Sequence, residues 1–180
     1  MADKHATKAI TVQTLAEEAG RWFESAKRAN GDDFYRRKDG APQWIQDLVM
    51  DAHGDMMPDD WRYAFVVEAL SALEESDDPD DIALEADVYT SDLTSWAHSR
   101  ADRIGYCDEA AEEGMISADA DMSDRLMAGQ YREKEEVLNL VRAFLESRAE
   151  ELEAEREEAE AAASAEDEAA QPSGDEYELS

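Results

Sequence analysis

The sequence predicts an all-α fold. Three observations carry this: apolar residues recur at helical spacing in successive stretches, capping and stop residues bracket those stretches, and no sustained β-branched alternation interrupts them. A length of 180 residues suits one domain of ordinary size. The expectation is a single compact bundle of about five to six helices, with a long C-terminal helix and a disordered acidic tail. Residues 1–10 read as a frayed N-terminus and 11–152 as the helical domain. Residues 153–180 read as an acidic Ala/Glu-rich tail, part helical and then disordered.

A first helix is expected from Thr14 to Ala29, with Thr14 and Glu17 at capping-box spacing and Asn30-Gly31 as the stop. Asp32 to Ala41 holds Phe34, Tyr35 and the basic trio Arg36, Arg37 and Lys38, and reads as a loop or a short extended piece. Pro42 suits the first turn of a second helix, which carries Trp44, Ile45, Leu48, Val49 and Ala52 and ends at Gly54. Pro58 opens a third helix, with Asp59 and Asp60 at the positive end of its dipole. Trp61, Ala64, Phe65, Ala69 and Ala72 occupy one side of it, and Val66, Val67, Leu70 and Leu73 most of the other. A helix apolar nearly all round is a central, buried one. After the acidic loop from Ser76 to Asp81, a short helical piece runs through Ile82 and Leu84. A fifth helix, starting near Thr90 or Ser91 and ending at Gly114, puts Leu93, Trp96, Ala97, Ile104, Cys107 and Ala111 on one face. Residues 117–124 form a polar, Asp-rich connector or a ragged helix start. From Asp121 a long helix carries Leu126, Met127, Tyr131, Val137, Leu138, Val141, Phe144, Leu145 and Leu152 in one stripe. The stripe stops at Leu152, and Ala and Glu extend the rod to about Ala163.

The formal net charge is −30, and its distribution says more than its size. Residues 1–50 hold eight acids and eight bases; residues 51–148 hold 26 and eight; residues 149–180 hold 13 acids and one base, Arg156. The whole imbalance therefore follows residue 50. Such a field repels nucleic acid and anionic membrane surfaces and favours a basic protein partner, so direct nucleic-acid binding and membrane binding are not expected. No stretch approaches the roughly 20 apolar residues that span a bilayer. The N-terminus lacks the apolar core of a signal peptide, and the single cysteine can form no intramolecular disulfide, so a cytoplasmic location is expected.

Reactive constellations are sparse. Asp119, Asp121 and Ser123 open like a calcium-binding EF-hand loop, but Asp124 stands where Gly is needed and Gln130 where a bidentate Glu is needed. Registers starting at Asp51 or Asp77 fail at the same two places. His5, His53 and His98 show no helical ligand spacing, so no metal is expected. Cys107 and His98 are half a turn out of phase on one continuous helix, which excludes a nucleophilic dyad there. No phosphate-binding glycine loop or nucleophile elbow occurs. The chain is read as a non-enzyme with no cofactor.

Two charges interrupt apolar stripes. Arg100 lies between Trp96 and Ile104, and Glu68 beside Trp61, Phe65 and Ala72. A buried charge needs a partner, so Arg100 and Glu68 are a candidate structural ion pair; the alternative is that Arg100 snorkels to the rim. The basic trio Arg36, Arg37 and Lys38 is expected to find an internal partner in the Asp-rich surface.

The stretches APQWIQDLVMDAHGDMMPDDWRY (41–63) and DVYTSDLTSWAHSRADRIGYCDEA (87–110) resemble segments of small, uncharacterised, acidic helical proteins carried by bacteriophages and plasmids. The resemblance covers about residues 20–145. It implies a mobile genetic element, whose accessory proteins often bind host or competitor machinery; the cytoplasm is then that of the host. Three functions follow from different classes: an interaction protein that binds a basic partner, nucleic-acid mimicry included; a helical protein acidified for solubility or high salt; and an enzyme with an unrecognised site. The candidate partner-binding acids are Asp77, Asp78, Asp80, Asp81, Glu85 and Asp87. High-salt adaptation should also acidify residues 1–50, and those are balanced. Mimicry requires acids on one ordered face.

Overall fold

The computed structural model describes residues 8–52, 60–76, 78–82, 84–86, 90–99, 103–112 and 121–171. Residues 8–10 precede the first helix and are tied to it, since the Thr14 hydroxyl donates to the Ala9 carbonyl and Ile10 packs on the core. Helix α1 spans Val12–Gly20. Its capping box pairs Thr11 with Thr14: the Thr11 hydroxyl accepts from the Thr14 amide, and the Thr14 hydroxyl accepts from the Thr11 amide. Capping thus begins one turn earlier than the Thr14–Glu17 spacing suggested.

The helix does not continue to Ala29. Strand β1 (Phe23–Lys27) pairs antiparallel with β2 (Asp33–Arg37), so the fold is mostly helical with a small hairpin and not strictly all-α. Asn30-Gly31, expected to stop a helix, is instead the tip of the hairpin turn. Gly31 has φ +93°, and the Asn30 side chain accepts from the Asp32 amide as an Asx turn. Asn-Gly serves either purpose, and long-range contacts choose between them. Here Phe23 is buried, 6.1 Å from the ring of Tyr63, and opposite charges face each other across the ladder at Glu24–Arg36 and Lys27–Asp33. Arg36 therefore finds its acid within the hairpin. Lys38 donates to the Arg21 carbonyl, so neither residue turns to the Asp-rich surface as expected.

Helix α2 (Gln43–Asp51) starts from Pro42 at its N-cap and buries Ile45, Leu48 and Val49. Helix α3 (Asp60–Glu75) buries Phe65, Val66, Ala69, Leu70 and Leu73, with Trp61, Tyr63, Ala64 and Val67 half-buried around it. That is the central helix the sequence predicted, and α1, β2 and the last helix all pack on it. Gly54 and Pro58 lie outside the described residues. A single 3₁₀ turn, Pro79–Asp81, follows; Ile82 and Leu84 reach the core from non-helical backbone and not from a helix.

The expected helix from Thr90 to Gly114 is two helices, α4 (Thr90–Ser99) and α5 (Arg103–Glu112). Residues 100–102 and 113–120 lie outside the described residues. Helix α6 (Met122–Ala170) has Asp121 as its N-cap, whose carboxylate accepts from the Asp124 amide. It carries the predicted stripe, with Leu126, Val137, Leu138, Val141 and Leu145 buried, and packs against each of α1 to α5. It runs to Ala170, beyond the Ala163 expected. At 49 residues it is about 73 Å long. Side chains past Arg156 are exposed through Gln171, while residues 172–180 lie outside the described part.

Candidate functional site

The α4–α5 junction is closed by a buried polar network. Arg103, the first residue of α5, and Glu133 of α6 have side chains only 0% and 4% exposed, with Arg103 Nε 2.8 Å from Glu133 Oε2. Arg103 Nη1 donates to the Trp96 carbonyl at 2.9 Å, and the guanidinium lies 5.6 Å from the centre of the Trp96 ring. The Trp96 indole N–H donates to Glu133. One carboxylate thus holds three helices together, and its charge compensates a guanidinium cut off from water. Beside it, Lys134 of α6 sits 2.6 Å from Glu68 of α3, donates to the Glu85 carbonyl and lies 5.3 Å from the Phe65 ring. These charges are architecture: each is spent on joining helices.

Glu68 therefore pairs with Lys134, while Arg100 lies outside the described residues. Of the two buried arginines among the described residues, Arg62 of α3 and Arg103 of α5, neither was expected. A signal for the second existed, because Arg103 follows Trp96 by seven residues and so falls within about 20° of it on a helical wheel. Glu133 likewise interrupts the α6 stripe seven residues after Leu126 and four before Val137. The half-turn phase relation between His98 and Cys107 no longer applies, since they belong to different helices. His98 is exposed and Cys107 buried. Burial first, and then the nearby Asp108 charge, push the Cys107 thiol above its usual pKa.

Two helical glycines have opposite explanations. A Cβ on Gly129 of α6 would lie 2.5 Å from Cys107 Sγ, so its absence lets α5 and α6 close together. A Cβ on Gly105 of α5 would meet nothing within 4 Å. Glycine inside a helix costs about 1 kcal/mol relative to alanine, and among the described residues no packing requires it at Gly105. Gly105 lines a groove of about 690 Å³ between α5 and α6, with Tyr106, Glu109, Arg132, Glu136 and Leu140. A second hollow of about 410 Å³ continues along α6 past Leu140, between Phe144, Arg148 and Asp51. Leu140, shared by both, is 40% exposed, while Val137, Leu138 and Val141 beside it are buried.

Among the predicted partner-binding acids, Asp78, Asp80, Asp81 and Glu85 are exposed; Asp77 and Asp87 lie outside the described residues. The Asp78 carboxylate accepts from the Asp80 amide, so this acid also shapes the 3₁₀ turn. A denser array of acids stands on α6. Residues 150–160 carry seven acids and one base over about 15 Å of helix. At 100° per residue the seven fall within an arc of about 220°, opposite the side of Leu145 and Leu152. All but Glu153 are exposed. Arg156 engages Glu153 and Glu160 at one edge of the arc, and Arg148 approaches Glu151, which leaves Glu150, Glu155, Glu157 and Glu158 facing outward.

Among the described residues no group of three or more His, Cys, Asp or Glu could hold a metal ion, and no helix is long and apolar enough to cross a membrane. No family model, no curated protein and no solved structure matches the chain.

Proposed function

We propose that this protein is a non-enzymatic accessory interaction protein that binds a basic host or competitor protein through acids ordered on α6. The observation that carries the reading is the outward arc of residues 150–160. Its net charge of −6 over about 15 Å is one charge per about 2.5 Å, against one per about 1.7 Å of duplex DNA axis. A rigid helix bearing that density presents a nucleic-acid-binding protein with much of the field it meets on phosphates, which supports nucleic-acid mimicry. The exposed loop acids Asp78, Asp80, Asp81 and Glu85 add to the same field. A mobile-element setting rests on the resemblance of residues 41–63 and 87–110 alone.

The test compares the parent with a variant in which Glu150, Glu155, Glu157 and Glu158 are glutamine. Both are used to capture proteins from a bacterial lysate at two salt concentrations. The expected result is retention of basic, nucleic-acid-binding proteins by the parent at low salt, release at high salt, and loss of capture by the variant. Each captured protein should also be displaced from duplex DNA by the parent and not by the variant. Equal capture by the two chains would reduce the rod to a solubilising appendage.

A further inference from the structure

We infer that the groove between α5 and α6 is a docking site for a cationic amphipathic helix of a partner protein, its apolar stripe seated on Leu140 and its Lys or Arg residues facing Glu135 and Glu136. The inference rests on the reading that the partner is basic, and it adds where that partner binds and what shape it presents.

Length and pattern come first. The residues of α6 that line the two hollows run from Arg132 to Glu151 at spacings of three and four, one continuous face about 28 Å long. That matches a helix of about 19 residues laid along α6. Leu140 lies midway, where a docking helix would bury its own apolar residues.

Gly105 is the second observation. A larger side chain there would project into the groove, since among the described residues nothing outside its own stretch of helix comes within 4 Å of its Cβ position. Gly20 also meets nothing within 4 Å but ends α1, whereas Gly105 lies inside α5 and lines this face, where a side chain would obstruct it. Gly129, on the facing helix, is explained by Cys107.

Charge identifies the occupant. Arg132 is engaged by Glu109 at 3.0 Å, and Arg148 lies over the Trp44 ring, 5.9 Å from its centre. Among the described residues no ion pair involves Glu135, Glu136 or Asp51; Glu136 accepts only from the neutral Tyr106 hydroxyl. Leu140, Ala143 and Phe144 make a short apolar patch beside the unpaired carboxylates of Glu135, Glu136 and Asp51, which complements a helix with Lys or Arg beside its apolar stripe. A second copy of this chain would bring its own −30 charge to that edge, and an anionic lipid surface would be repelled as well.

The experiment uses the full chain and two synthetic 18-residue peptides of equal charge. One has Leu along a single helical face with Lys elsewhere; in the other every Leu is Gln. Fluorescence anisotropy is expected to give a dissociation constant about 10-fold lower for the Leu peptide, or about 1.4 kcal/mol. G105L and L140Q should each erase most of that difference and leave the Gln peptide's affinity unchanged. Neither variant is expected to lower the melting temperature, because Gly105 meets open space, where leucine favours the helix more than glycine, and Leu140 is exposed. Equal affinity for the two peptides would overturn the groove while leaving a charge-driven partner intact. Failure of the Gln peptide to bind at low salt would instead tell against the acidic-surface reading itself. An undiminished Leu preference in G105L and L140Q would also overturn the groove, as would a dimer in sedimentation that G105L dissolves, which would make a second copy the occupant.

Discussion

Substituting Glu133 with glutamine tests the energetics of the bundle most directly. The carboxylate is nearly inaccessible, accepts from the Trp96 indole and both orients and neutralises Arg103, whose side chain is wholly buried. Glutamine keeps the shape and one acceptor oxygen, so little packing is lost. What changes is charge: the Arg103 guanidinium stays buried with its countercharge removed. Breaking one side of a buried ion pair typically destabilises by about 3–5 kcal/mol. For a chain of this size that corresponds to a fall in melting temperature of about 6–20 °C. Because Arg103 opens α5 and Trp96 lies near the end of α4, the loss should concentrate at the α4–α5 junction, and amides there should exchange faster than those of α3. The assay is a thermal melt followed by circular dichroism, with hydrogen exchange to localise the effect. A double variant, R103M with E133L, removes both charges and should recover most of the lost stability, since apolar residues of similar volume often replace buried pairs without penalty. An E133Q melt within about 2 °C of the parent would refute the reasoning, because Arg103 would then be compensated by something other than Glu133.

The two glycines should respond in opposite directions. G129A forces Cys107 aside and is expected to destabilise by about 1–3 kcal/mol, whereas G105A should stabilise by up to about 1 kcal/mol, both read from denaturant midpoints. Cys107 should react slowly with thiol reagents in the native protein and rapidly once it is unfolded. Its raised pKa means that the folded state holds its proton where the unfolded thiol has lost it. Stability should therefore fall as pH rises through the ordinary thiol range near about 8.5, and C107A should flatten that fall. Within 150–160 five Glu–Glu pairs stand at i,i+3 or i,i+4, which together oppose the helix by about 1–2.5 kcal/mol. Added salt should raise the helical signal of the full chain, and deleting residues 153–180 should remove the salt effect while shifting the bundle's melting temperature by no more than about 2 °C. A salt-independent signal in the full chain would mean that those carboxylates do not repel one another along an intact helix.

What the sequence determined by itself was local. The buried central helix α3, the start of α2 at Pro42 and the α6 stripe from Leu126 to Leu152 were legible because each depends on spacing and caps within one segment. Net charge and its onset after residue 50 were likewise legible, since charge is a sum over residues and needs no fold. Tertiary contacts decided the rest. Residues 23–27 are equally compatible with helix, and they became a strand because residues 33–37 pair with them and Phe23 finds Tyr63. Helices α4 and α5 are joined by Arg103 bonding back to the Trp96 carbonyl, and Arg103 is held in turn by Glu133 thirty residues away. The groove at Gly105 was invisible to pattern reading for the same reason. A glycine in a helix looks like a weak point until the neighbouring helix shows whether its missing side chain admits that neighbour, as at Gly129, or leaves a face open, as at Gly105. Acidity in the sequence is a property of residues 51–180; the helix that continues to Ala170 turns part of it into an ordered surface.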